Sequence, residues 1–90
     1  MKIIERTTQF KKDIKKYVTS KDKMQKLYDV IVMLENEQTL PQKMRPHKLH
    51  GSYVGCMECH IENDLLLIWV DKSTNVIRLL RFGTHSELFK

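Results

Sequence analysis

Histidine is missing from residues 1 to 46 of this 90-residue chain; all four histidines fall later, at positions 47, 50, 60 and 85. The first half therefore reads as scaffold. Acid-base work near neutral pH has to be sought in the second half, because imidazole is the side chain whose ordinary pKa, about 6.5, lets it both take and give a proton there. No second domain is expected: 90 residues fit one unit spanning 1–90, and so short a chain buries only about two thirds of its unfolded surface. No apolar run approaches the roughly 20 residues needed to cross a bilayer. The opening Met-Lys-Ile-Ile-Glu-Arg breaks its apolar stretch with charge at once, without the longer apolar core of a secretory signal. The expectation is a cytoplasmic protein with no membrane partner. Cysteine is scarce, only two residues, and in that compartment both default to thiols. Repeats and low-complexity segments are absent.

Positive charge is what the chain has in excess. The formal charge of +5 comes mostly from lysines between Lys11 and Lys26, followed by Lys43, Arg45 and Lys48. Nucleic acid or an acidic protein suits such a surface, since phosphate contacts release counterions and dominate affinity. Lysines at helical spacing are also how an ordinary helix solvates its outer face. Arg45 and Lys48, beside the histidines, are the better candidates for RNA contact.

Weak alternation over residues 2 to 6 suggests a first strand, after which Thr7 or Thr8 caps a helix. Phe10, Ile14, Tyr17 and Val18 recur at three and four and form its apolar stripe, and the polar run from Thr19 to Lys21 ends it. A second helix opening near Asp22 places Met24, Leu27, Tyr28, Ile31 and Leu34 on one side, and Asn36 to Thr39 with Pro41 close it. Leu40 to Arg45 is bracketed by Pro41 and Pro46 and reads as an extended crossing. Tyr53 to Ile61 reads as a strand with Tyr53, Met57, Cys59 and Ile61 toward the core and Val54, Cys56, Glu58 and His60 opposite. A turn at Glu62 to Asp64, a strand Leu65 to Val70, a turn at Asp71 to Asn75 and a strand Val76 to Phe82 complete a meander. The fold class is α+β: an N-terminal strand and a two-helix hairpin packed on an antiparallel β-meander, whose other face stays partly open.

Cys56-Met-Glu-Cys59-His60 has the spacing of c-type haem attachment. That reading fails here, because haem attachment belongs to an export compartment and to a loop-helix segment, not to a strand. A zinc site from His47, His50, Cys56 and Cys59 is weakened by the same geometry: residues three apart on a strand point to opposite faces. Reduced, buried or half-buried cysteines are the plainer reading, and neither cofactor nor metal is expected.

His47, His60, Asp64, Arg81 and His85 are different. The meander brings His60, Asp64, Arg81 and His85 toward one edge of the sheet, and His47 precedes its first strand. Cleaving RNA through its own 2′-hydroxyl needs a group to accept that proton, another to protonate the departing 5′-oxygen, and a cation to stabilise the crowded phosphorane. The set contains each part. His85 suits the acid and Arg81 the phosphate clamp, with Asp64 and His60 on the 2′-hydroxyl side and His47 holding phosphate or sharing the base role.

Three stretches also carry a resemblance: His47-x-Leu-x-Gly-Ser-Tyr-x-Gly55, Glu58-x-His60-Ile-x-x-Asp64-x-Leu-Leu-Ile-Trp69, and Leu80-Arg81-x-Gly-Thr-His85-Ser-Glu-Leu-Phe89. In them the chain resembles the YafQ branch of the RelE/ParE toxin superfamily. The resemblance implies a RelE-like fold and a ribosome-dependent endoribonuclease that cuts messenger RNA in the decoding site without a metal. It also implies a toxin that is monomeric alone and is neutralised by a cognate antitoxin. It assigns His47, His60, Asp64 and His85 to the catalytic cluster, and Arg81 and Phe89 to substrate contact. Asn63 stands where proline is expected before the aspartate, which bears on how Asp64 is placed. A toxin of this fold that blocks DNA gyrase without catalysis is the competing reading, and the histidine cluster argues against it.

Overall fold

The computed structural model describes residues 1–72 and 75–89. Strand β1, Ile3–Arg6, is followed by helix α1, Thr8–Ile14. One side chain makes that junction. The Thr7 hydroxyl donates to the Leu79 carbonyl at 2.9 Å, fixing the strand end, and accepts the Phe10 N–H at 3.1 Å, capping the helix. The α-helix stops at Ile14, and the chain runs on as hydrogen-bonded turns to Thr19. Phe10, Ile14 and Tyr17 reach the core as expected, whereas Val18 lies beyond the helix and stays exposed.

Helix α2, Lys21–Glu35, is capped by the Ser20 hydroxyl and ends at Asn36. Its buried residues are Leu27, Val30 and Leu34. Tyr28, expected in the stripe, is 59% exposed. It sits about 100° from Leu27 around the axis, outside the arc that Val30, Leu34, Ile31 and Met24 share. From Leu40 the chain does not cross fully extended: Gln42–Met44 form a 3₁₀ turn, and Arg45 ends it in the left-handed region at φ 48°.

The sheet contains β2, His47–Lys48, β3, Met57–Glu62, β4, Leu65–Lys72, and β5, Val76–Gly83, in the order β1-β5-β4-β3-β2. The expected meander is β3-β4-β5, all antiparallel. The middle of the turn before β5, Ser73 and Thr74, lies outside the described residues. β1 pairs with β5 in parallel, Ile3 opposite Val76 and Arg6 opposite Leu79, so the first strand closes on the last.

Both faces of β4 are buried, as its unbroken apolar run requires. Leu65, Leu67 and Trp69 face the helices; Leu66 and Ile68 face the other way, under Leu88, Leu49, Tyr53 and Cys56. That second face is roofed by the 49–56 loop and a one-turn helix α3, His85–Leu88, that sequence periodicity had not revealed. Tyr53 belongs to this roof and not to the helix-side core. Gly51 and Gly55 take φ of 71° and 87°, Gly51–Tyr53 form a 3₁₀ turn, and β3 starts only at Met57. Fully burying Leu66 and Ile68 contributes about 2 kcal/mol each, which anchors the roof to the sheet.

The cysteines are free thiols. Cys59 is wholly buried, and desolvation, with the neighbouring Glu58 charge, pushes its thiol up to about 12. Among the described residues, no helix is long and apolar enough to cross a membrane.

Candidate active site

Strand register places the site. His47 is opposite Glu58, Glu58 opposite Ile68 and Ile68 opposite Arg81, so these four residues form one row across the roofed face. His60, Leu66 and Gly83 form a second row. At the usual strand spacing, Glu58 and Arg81 stand about 10 Å apart, with Ile68 as the floor between them.

His85 enters from above on α3. A reciprocal cap fixes that turn: the Thr84 hydroxyl accepts the Glu87 N–H, and the Thr84 N–H donates to Glu87 Oε1 at 2.8 Å. Tyr17 donates to the same oxygen at 2.6 Å, and Lys16 lies 3.1 Å from Oε2. The Tyr17 hydroxyl first, then the Thr84 N–H, hold the Glu87 carboxyl down at about 2. Gly83 lets the turn approach, since a Cβ there would stand 2.6 Å from Glu87 Oε1.

Asp64 receives His85 twice, through its backbone N–H at 3.0 Å and its ring Nδ1 at 2.8 Å. Those two hydrogen bonds, the backbone one first, keep the Asp64 carboxyl below its ordinary value. With Nδ1 committed, Nε2 is the nitrogen left for proton exchange. The aspartate therefore partners His85, not His60 as the sequence had suggested. The Asn63 carbonyl lies 3.3 Å from His60 Nδ1 and helps set that ring. The His60 and His85 rings are 5.8 Å apart.

Two acids overlooked as site residues complete the picture. Glu58, only 3% exposed, lies 3.2 Å from His47 Nε2 and 3.9 Å from His60 Nε2, a carboxylate set between two imidazoles. The opposite nitrogen of His47 is 2.6 Å from the Arg45 carbonyl, which fixes the ring between that carbonyl and Glu58. The sequence signal was an acid two residues before His60 on the same strand face. Asp13, 7% exposed, reaches around the edge of β5 beyond the end of β1 and accepts from Arg81 Nε at 2.8 Å, Arg81 Nη2 at 3.3 Å and the Phe82 N–H at 3.0 Å. Burial pushes its pKa up, but the bonds from Arg81, Phe82 and Gln9 outweigh that and hold it below the ordinary value. Its signal was an acid on the apolar side of α1, three residues after Phe10 and four before Tyr17. Arg81 is thereby held as a fork, with Nη1 3.4 Å from the Tyr53 hydroxyl. Phe89, 42% exposed, stacks edge-on against Tyr53 at 5.6 Å and lies 6.0 Å from His85.

His47, His60 and His85 thus gather around Glu58, Asp64 joins through His85, and Arg81 and Phe89 flank them through Tyr53. The zinc set of His47, His50, Cys56 and Cys59 does not assemble. Among the described residues, Glu58, His60 and His85 are the group able to hold a metal ion, with ligand atoms all within 4.8 Å of one another.

The sequence pattern of YafQ, a bacterial toxin of type II toxin-antitoxin systems, matches residues 2–90. The chain belongs to the YafQ family. The mRNA interferase toxin YafQ of Escherichia coli K12 is 34% identical over 87 residues, 96% of this chain and 94% of that protein. Two crystal structures superpose closely. A metal-bound toxin from Helicobacter pylori is 40% identical with a TM-score of 0.89, over 99% of this chain and 100% of the other. YafQ in the E. coli DinJ-YafQ complex is 33% identical with a TM-score of 0.87, over all of both chains. The YafQ fold bears out the α+β architecture expected from sequence, including the two N-terminal helices and the meander.

Proposed function

We propose that the chain is a ribosome-dependent endoribonuclease that cuts messenger RNA in the decoding site by metal-independent acid-base catalysis, and that a cognate antitoxin neutralises it. The observation that carries this reading is the Asp64–His85 pair beside His60 and Glu58, with ligand atoms of Glu58, His60 and His85 all within 4.8 Å of one another. The relative from E. coli named an mRNA interferase, and the DinJ-YafQ complex, support the activity class and the antitoxin.

In this reading His85, held by Asp64, donates a proton from Nε2 to the departing 5′-oxygen. His60, set by the Asn63 carbonyl and facing Glu58, takes the proton from the 2′-hydroxyl. Arg81, fixed by Asp13 through Nε and Nη2, turns Nη1, beside the Tyr53 hydroxyl, to the phosphorane. His47, beside Glu58, holds phosphate or shares the base role, and Phe89 presents a face to a base. The protein is a monomer in the cytoplasm until its antitoxin binds.

The test is message cleavage in a purified translation system, with protein stripped of metal beforehand, comparing wild type with a His60→Ala, His85→Gln double variant, with and without ribosomes. Cleavage by the wild type alone, and only with ribosomes, is expected. Cleavage by the double variant refutes the histidine mechanism, and cleavage of naked RNA refutes ribosome dependence.

A further inference from the structure

Beside the catalytic row, on the side away from Arg81 and Phe89, lies a cleft of about 450 Å³ that nothing in the mechanism uses. β2 pairs only with Met57 and Glu58 of β3, so the outer edge of β3 has no strand partner from Cys59 onward. Lys26 of α2 forms one wall, Lys43 to Arg45 the other, and His60 to Asn63 the base. The volume is within the ~300–1,000 Å³ range of small-ligand sites and suits one nucleotide. Its acid, Glu62, is already neutralised: Lys23 lies 2.6 Å from Oε1 and Lys26 2.9 Å from Oε2. Lys43 and Arg45 are exposed and carry no ion pair among the described residues, so the cleft is cationic.

Two contacts join the cleft to the chemistry. His60 lines it, and the Arg45 carbonyl holds His47 Nδ1, so an occupant lies within one side chain of both imidazoles. On the far side of the histidine cluster, next to His85, are the aromatic groups Tyr53 and Phe89. A strand crossing the cluster is thus met by stacking surface on one side and by cations on the other.

We propose that this cleft is a nucleotide subsite, which takes the messenger nucleotide adjoining the scissile phosphate on the His60 side. Lys43 and Arg45 hold its phosphate, and the Asn63 amide meets the edge of its base. The inference rests on the nuclease reading above, but its test does not depend on turnover. A fluorescein-labelled RNA pentanucleotide, 2′-O-methylated throughout so that it cannot be cut, is titrated against the protein by anisotropy over a range of salt.

The Lys43→Gln, Arg45→Gln variant should bind about 10-fold more weakly, with the slope of log K against log salt shallower by about 1. Lys11→Gln, Lys15→Gln removes the same charge from the side of α1 turned away from Asp13, and should change affinity less than about 2-fold. Asn63→Trp, which fills the cleft without altering charge, should also weaken binding. Equal losses for the two double variants, or full affinity with Asn63→Trp in a protein of unchanged circular dichroism, overturn the subsite. So does loss of antitoxin affinity with RNA affinity intact, which would make the cleft an antitoxin seat. Cleavage on ribosomes by the wild type, followed alongside, shows whether the nuclease reading stands when the subsite falls.

Discussion

Removing the Asp13 carboxylate should cost the protein much of its stability. Asp13 accepts four hydrogen bonds, from Gln9, the Phe82 N–H and two Arg81 nitrogens. In Asp13→Ala the Phe82 N–H, in a residue only 1% exposed, loses its acceptor. An unsatisfied buried donor costs about 1–3 kcal/mol. Arg81 also loses its counter-ion. Breaking a fully buried pair costs about 3–5 kcal/mol, but the Arg81 side chain is 24% exposed, so water recovers part of this and about 1–2 kcal/mol is a fair share. The sum, about 3 kcal/mol, is a large part of the 5–13 kcal/mol or so that 90 residues supply. At about 4–8 °C per kcal/mol for a domain of this size, Tm should fall by about 12–24 °C. Thermal unfolding by circular dichroism or calorimetry measures it. Arg81→Met alone should be milder, and the double variant less destabilised than the sum of the singles, because neither charge is left unpaired. A Tm drop under about 5 °C for Asp13→Ala, or strict additivity in the cycle, refutes this account.

Three further outcomes are expected. Asp64→Asn leaves His85 Nδ1 without its carboxylate and should lower the cleavage rate by about 10²-fold with the fold intact; a near-normal rate removes Asp64 from the mechanism. Added Zn²⁺ should inhibit by occupying Glu58, His60 and His85, and Glu58→Gln should raise the concentration needed by about 10-fold; unchanged sensitivity in that variant excludes the site. Asp13, Glu62, Asp64 and Glu87 all have lowered pKa values, so their contribution to stability is present above the ordinary carboxylate range and is lost as pH falls through the folded values, near 2 for Glu87. Stability should hold from pH 7 to about 5 and decline below about 4.5, and Glu87→Gln should flatten that decline; an identical acid profile for wild type and variant contradicts it.

Where one period dominates, the sequence was legible. The alternation and turn residues from Met57 to Phe82 give β3, β4 and β5 closely, and the placement of His60, Asp64 and His85 near one another follows from those strands. Legibility fails where two contacts compete for one residue. Tyr28 and Val30 both fit a helical stripe, and only the helix's rotation against the sheet decides that Val30 is buried. Tyr53 alternates correctly with Met57, yet two left-handed glycines between strands put it on the opposite face. α3 is four residues long and held by capping, not by an apolar repeat, so periodicity could not show it. Asp13 and Glu58 escaped notice as site residues because an acid in an apolar pattern is read as an interruption. The partner that justifies each is distant in the chain or lies on another strand.

The parallel pairing of β1 with β5 has a consequence for synthesis. The first strand to emerge from a translating ribosome finds its neighbour only when Val76 to Leu79 have also been made, and Arg81 and His85 come later still. Contacts so distant along the chain form last and slowly. A nascent chain is therefore neither closed nor armed, and one truncated before Val76 lacks both β5, the strand that joins β1 to β4, and His85. Such a protein becomes harmful all at once, near the completion of its own translation, and its unfinished products remain inert.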